Sequence, residues 1–259
     1  MTNGRGLNWL WRLFMTGFCF AMFGLGGLIL SLVLCAMLLL RDQGRRRRIA
    51  RHLISLAFRF FLWVSSRLGV LEFRVLGLEK LRSDQGCLIV ANHPTLIDYV
   101  MLAALMPDLD CVVKADVLSN PFFSGVIRAA GYLINNQPDT FLEESRLRLT
   151  SGACILIFPE GTRSRPGQPL VLQRGAAQVA VRCPCELRLV SIHCSENILS
   201  KQSHWYDVPV RKPVFTVSVG ERLCPDTLFS DTRPEPSVAA RRLTRMLTER
   251  LSQGVPDFF

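Results

Sequence analysis

Between Arg12 and Arg41 the chain runs for 28 residues, Leu13 to Leu40, without one charged side chain. About 20 predominantly apolar residues suffice to carry a helix across the hydrocarbon of a bilayer, so this stretch reads as a membrane segment. A secretory signal fits less well, because the run exceeds a signal's apolar region and the basic cluster follows it instead of preceding it. At 259 residues, the remainder is long enough for one α/β domain with its own core and hardly enough for two.

The formal charge of +10 is distributed unevenly. Residues 1–74 hold eleven Arg against two acids, Asp42 and Glu72, which is a net +9. Arg45 to Arg48, with Arg41 and Arg51, lie just past the apolar run, and such clusters sit against anionic head groups on the cytoplasmic side. Nucleic-acid binders interleave basic charge with exposed aromatics on a folded platform, a pattern missing here. The expectation is therefore a chain attached to the inner (cytoplasmic) membrane, its catalytic part facing the cytoplasm, with membrane lipids and no nucleic acid as partners. Nine scattered cysteines, an odd number mostly within apolar runs, read as small buried hydrophobes in a reducing compartment. Cys183 and Cys185 do not have structural-zinc spacing, so no metal is expected.

A second apolar stretch, Ile49 to Val70, is interrupted by Arg51, Arg59 and Arg67 at intervals of eight. It predicts an interfacial helix whose long cations reach head groups, or the second arm of a hairpin half-inserted in one leaflet. Residues 1–70 are thus read as membrane-anchoring helices and residues 71–259 as a catalytic domain. In the latter, strand patterns at Cys87–Ala91, Leu109–Val113, Ile155–Phe158, Leu187–His193 and Val214–Val219 alternate with helical ones at Leu96–Leu105, Pro121–Ala130, Thr140–Thr150 and Ala176–Arg182. Asp231 to Ser237 is a polar linker into an amphipathic helix, Val238–Leu251. The fold class is α/β, a mixed central sheet flanked by helices, with an N-terminal membrane helix or helical hairpin.

Two of these strands end in polar blocks. Cys87–Ala91 runs into Asn92, His93 and Pro94, at the C-terminal strand end where open α/β sheets place ligands. Pro94 ends the strand, and Thr95 is positioned to cap a helix with Asp98 in its third place. Asp98 then faces back toward His93. A histidine oriented by a carboxylate can take the proton of an alcohol near neutral pH, its ordinary pKa being about 6.5. Taken alone, a Thr95/Asp98 capping pair and an ordinary polar histidine would explain the same letters. Ile155–Phe158 runs into Pro159, Glu160, Gly161, Thr162, Arg163 and Ser164. Gly161 permits close backbone approach, Thr162 offers a hydroxyl, and Arg163 offers a fork for phosphate or carboxylate.

Together the blocks resemble those of the glycerolipid acyltransferase family, the lysophosphatidate acyltransferase-like enzymes, with their N-H-x-x-x-x-D and F-P-E-G-T-R sequences. The likeness extends from about Leu76 to Ser195 and includes Lys114 to Leu118, Pro121 and the Gly175-Ala176-Ala177 run. It implies that His93 and Asp98 are the catalytic dyad and that Glu160, Gly161, Thr162 and Arg163 bind substrate. The implied reaction is transfer of a fatty acyl group from coenzyme A or acyl carrier protein to a hydroxyl of a lysophospholipid-like acceptor, with no cofactor beyond that thioester. Two positions depart from the family pattern. The run Gly131 to Asn136 ends in asparagine where the family commonly has a phosphate-binding arginine, and Leu189 stands where its fourth block usually has proline. Loss of a charge-assisted phosphate bond, worth about 1.5–3 kcal/mol, brings in a phosphate-free hydroxyl acceptor such as a lyso-amino-acid lipid, polyene lipid or glycolipid. A non-catalytic lipid carrier is a further alternative, although passive binding needs no oriented base. A hydrolase is disfavoured by the lack of a G-x-S-x-G turn.

Overall fold

The computed structural model describes residues 6–119, 121–135, 137–229 and 234–253. Asn136 and the first part of the Asp231 linker lie outside the described residues. The chain begins with a helical hairpin, α1 (Leu7–Ala36) and α2 (Gln43–Arg67), joined through a short 3-10 turn. Then follow β1 (Glu72–Leu76), α3 (Leu78–Ser83), β2 (Cys87–Ala91), α4 (Asp98–Leu105), β3 (Asp110–Lys114), α5 (Pro121–Ala130), β4 (Leu133–Asn135) and α6 (Pro138–Thr150). The remainder is β5 (Ile155–Ile157), α7 (Gly175–Arg182), β6 (Glu186–Cys194), β7 (Val214–Leu223), α8 (Pro225–Leu228) and α9 (Pro236–Gln253).

The seven strands form one sheet in the order β1-β7-β6-β2-β5-β3-β4. Only β6 and β7 pair antiparallel among these neighbours, so the sheet is mixed. Every residue of β2 is buried, as the central strand of a two-sided sheet must be. Its alternate side chains serve two cores: Cys87, Ile89 and Ala91 pack with α2, α4 and α5, while Leu88 and Val90 pack with α7 and α9. This period of two puts helices on both faces.

The two strands that the sequence patterns miss are both edge strands. β1 alternates apolar residues with Arg74 and opens on Glu72, which pairs with Arg74 at 2.6 Å and Lys212 at 3.0 Å. β4 has three residues, too few to show a period. Leu189 lies at an irregularity of the β6–β7 ladder, between Arg188 and Val190; such bulges are where strands also tolerate proline.

The arms of the hairpin run antiparallel. Phe23 packs on Phe61 at 5.0 Å and on Phe58 at 6.3 Å between ring centroids, and the Trp11 indole donates to Leu68 O at 3.0 Å. Both ends of α1 are tied to the α/β body: Trp9 donates to Val208 O at 2.9 Å and Arg12 to Val210 O, while Leu34 is fully buried in the core beside the sheet. Between them, Leu25 and Ile29 stay exposed. With its turn, Leu7–Leu39, α1 is long and apolar enough to cross a membrane. Arg59 is exposed and also bonds back to the body. Its Nε donates to Ala104 O at 2.7 Å, near the end of α4, and Arg51, two turns earlier, donates to Ala130 O at the end of α5. Each cation meets carbonyls at the negative end of a helix dipole, and Arg51, which also pairs with Asp110 at 2.9 Å, is largely buried.

Candidate active site

Because β2 and β5 are parallel neighbours, the loops that follow them open side by side at one edge of the sheet. Asn92 fixes the first loop. Its side chain donates to Ile192 O at 2.8 Å and accepts from Ile192 N at 2.7 Å, continuing the β2–β6 ladder by one step. His93 is thereby held just beyond the last strand residue. Its Nδ1 lies 2.8 Å from Asp98 Oδ2, with the Asp98 side chain fully buried and that of His93 22% exposed.

The local turn differs from a Thr95-capped helix. α4 begins at Asp98 itself, with Ile97 in the cap position and no side-chain cap. Thr95 turns to the carboxylate instead: its N–H donates to Oδ2 at 2.7 Å, and its hydroxyl donates to Oδ1. Two donors from Thr95 and one from His93 thus converge on a carboxylate at a helix N-terminus, which favours its ionised form. Burial works against them and raises its pKa above the ordinary value.

The second loop completes the seat of His93. The Phe158 ring stacks on the imidazole with centroids 4.4 Å apart and planes 24° from parallel. Glu160 Oε1 accepts the His93 backbone N–H at 2.7 Å and the Ser164 hydroxyl at 3.0 Å, while Ser164 N donates to His93 O at 2.7 Å. These bonds tie the two blocks to each other. Gly161 has φ +67°, the left-handed conformation that favours glycine, and an added Cβ would meet nothing closer than Gln173 at 3.9 Å. Backbone shape, not crowding, requires glycine there. Thr162 is exposed. Arg163 is half-buried, and its NH1 donates to the carbonyls of Leu199 and Ser200 at 3.1 and 2.9 Å. Leu199, itself at φ 53°, also accepts from Leu96 N at 2.9 Å, so the strained turn is fastened from two sides.

His93 and Phe158 face an apolar cavity of about 870 Å³ that extends between the sheet, α1, α2 and the 198–209 segment. Phe20, Phe23 and Leu30 of α1 and Phe61 of α2 line it. Two features of this site have no counterpart in the sequence reading: the Glu160 bridge and the 198–209 wall. The bridge accepts a backbone N–H, and no spacing rule anticipates a carboxylate spent in that way.

A base oriented by a buried carboxylate, with no serine, cysteine or threonine nucleophile bonded to it among the described residues, is equipped to activate a hydroxyl brought by a substrate. Residues 72–210 match the family model described as Acyltransferase, and the chain belongs to that family. It is 30% identical over 129 residues to the 1-acyl-sn-glycerol-3-phosphate acyltransferase of Pseudomonas aeruginosa, covering 48% of this chain and 50% of that one. It is 29% identical over 144 residues to the enzyme of the same name from Helicobacter pylori, covering 52% and 61%. The chain thus spans about half to three fifths of the length of these relatives. The crystal structure of the 1-acyl-sn-glycerophosphate acyltransferase PlsC from Thermotoga maritima shares the fold, with a TM-score of 0.69, 20% identity and coverage of 95% and 97% of the two chains.

Proposed function

We propose that the enzyme transfers an acyl group from a coenzyme A or acyl-carrier-protein thioester to a hydroxyl of a lysophospholipid-like acceptor at a membrane surface. The observation that carries this reading is the position of the dyad: His93, with the buried Asp98 behind it, lines an apolar cavity, which suits an acyl chain whose thioester lies beside the imidazole. With Nδ1–H given to Asp98, Nε2 takes the acceptor's proton as the hydroxyl oxygen attacks the thioester carbonyl. The imidazolium is held by the Asp98 charge. Collapse of the tetrahedral intermediate breaks the C–S bond, and the thiolate leaves with the proton returned from Nε2.

Glu160 acts in this scheme as a positioning residue, and Gly161, Thr162 and Arg163 shape the rim that receives the acceptor. Glu160→Ala leaves the His93 N–H without its acceptor and frees the second loop. A displacement of about 1 Å at the base costs about 10²-fold in kcat, so a loss of that order is expected. Glu160→Gln, which keeps an acceptor oxygen, should restore most of it. Equal losses in both variants would show that the carboxylate's charge matters and not its bridge.

Residues 1–70 seat the enzyme on the cytoplasmic face of the inner membrane in this reading, and residues 71–259 carry the chemistry. The attachment of both ends of α1 to the body supports a hairpin lying in one leaflet over one that crosses it.

A phosphate-free acceptor is the second reading, favoured by Arg163, whose NH1 is occupied by backbone carbonyls. Competition between lysophosphatidate and phosphate-free lysolipids of equal chain length decides between them. A phosphate-binding acceptor site gives lysophosphatidate an advantage of about 10- to 100-fold in kcat/KM, the worth of one charge-assisted bond. Parity or a reversed preference moves the assignment to the phosphate-free class.

A further inference from the structure

One part of the apolar cavity wall is polar. Tyr99, next in sequence to the dyad's Asp98, and Tyr132, just ahead of β4, both line the cavity. Their rings meet edge to face at 6.0 Å and 83°, and the Tyr99 hydroxyl donates to the Tyr132 hydroxyl. Phe58 packs on Tyr99 at 5.9 Å, and the Arg51 guanidinium lies 5.7 Å from the centroid of the Tyr132 ring. Phe58 also lines the cavity, so the two phenols are braced by packing within its wall.

The hydrogen-bond inventory of this pair does not close. Each phenol offers one donor and can accept. The Tyr99 proton is used on Tyr132, and the Tyr132 proton has no acceptor among the described residues. Burial raises the pKa of both groups, so both keep their protons at neutral pH. A donor left unmet in apolar surroundings is costly, and a plain hydrocarbon chain alongside it offers nothing to accept.

We propose that the cavity takes an acyl chain bearing a hydroxyl group along its length. The chain's oxygen accepts from Tyr132 and its own proton goes to the Tyr99 oxygen, closing a ring of three hydrogen bonds. Cys111, Val113, Ile127 and Phe215 also line the cavity, and they suit the methylene groups on either side of that oxygen. Tyr99 and Tyr132 then set specificity for oxygenated over plain acyl groups. This inference rests on the reading of the cavity as the acyl slot.

The test is a competition among acyl thioesters of one chain length, plain or hydroxylated at successive carbons, offered to the full chain, Tyr132→Phe and Tyr99→Phe. The wild type should favour the thioesters hydroxylated over a limited run of carbons, by about tenfold in kcat/KM. Tyr132→Phe should lower kcat/KM for those thioesters and raise it for the plain one, erasing the preference; Tyr99→Phe should reduce it. A merely structural role for either phenol would lower both classes together. Plain thioesters favoured or equal at every carbon in the wild type would overturn the inference, as would a Tyr132→Phe enzyme in which both classes shift by one factor. If His93-dependent turnover of plain thioesters persists in those cases, the inference alone fails. If no thioester is turned over, or turnover survives His93→Ala, the acyl-transfer reading of the site fails and takes this inference with it.

Discussion

His93→Ala should lower acyl transfer by about 10³- to 10⁴-fold, the upper part of the range for a general base. The loss should fall on kcat, with the KM for the thioester nearly unchanged, because the imidazole acts on the acceptor's proton and the apolar cavity holds the chain. The variant should also fold. His93 is partly exposed at the end of a strand, its backbone N–H and carbonyl are bonded to Glu160 and Ser164 independently of the side chain, and removing the ring leaves space open to the cavity. A melting temperature and vesicle binding close to wild type, beside the lost turnover, are the expected pair of results. Turnover within tenfold of wild type would remove His93 from the mechanism.

Asp98→Asn is expected to separate activity from stability. The amide can be seated in only one satisfactory way: its oxygen takes the place of Oδ2, which accepts from both His93 Nδ1 and Thr95 N, and its nitrogen meets the Thr95 hydroxyl, which rotates to accept. The histidine tautomer is therefore kept and only the charge is lost. Without that charge the imidazolium formed during attack is unsupported, and a fall of about 10²- to 10⁴-fold in kcat follows. Stability moves the other way. Burial raises the Asp98 pKa above the ordinary aspartate range, with His93 and Thr95 opposing. Between the unfolded and folded pKa values the native state binds more protons than the unfolded one, so stability falls as the pH climbs through the folded value. The wild type carries that cost at neutral pH and the amide does not. Thermal melts should place Asp98→Asn at or above wild type near pH 7, the difference shrinking as the pH falls through the raised pKa. A variant that is less stable at neutral pH and catches up in acid would mean that the ionised carboxylate stabilises the fold.

The central strands of this molecule were legible from sequence because burial on two faces writes itself as an unbroken apolar run. Cys87–Ala91 is the clearest case, and the polar blocks behind it and behind Ile155–Ile157 follow from the same two-sided burial. Where one side chain has to do two things, pattern fails. Arg59 reads as a cation seeking head groups, and while exposed it also gives its Nε–H to the carbonyl of Ala104 near the end of α4, a tie that no spacing announces. Thr95 reads as a cap and spends both donors on Asp98. Tyr99 and Tyr132 stand 33 positions apart in dissimilar contexts, and only the fold brings their hydroxyls together.

The hairpin has a consequence for how this enzyme comes apart. Leu34 of α1 and Ala50, Ile54 and Leu62 of α2 are buried in the same core as Ile89 and Met101, and a fully buried leucine or isoleucine contributes about 1.5–3 kcal/mol. The same two helices also supply one wall of the cavity beside His93. Trimming the hairpin away would therefore uncover the sheet and open the chamber in a single act. Cohesion of the fold and enclosure of the cavity are two properties of one piece of chain, and under the proposed function the grip on the membrane is a third.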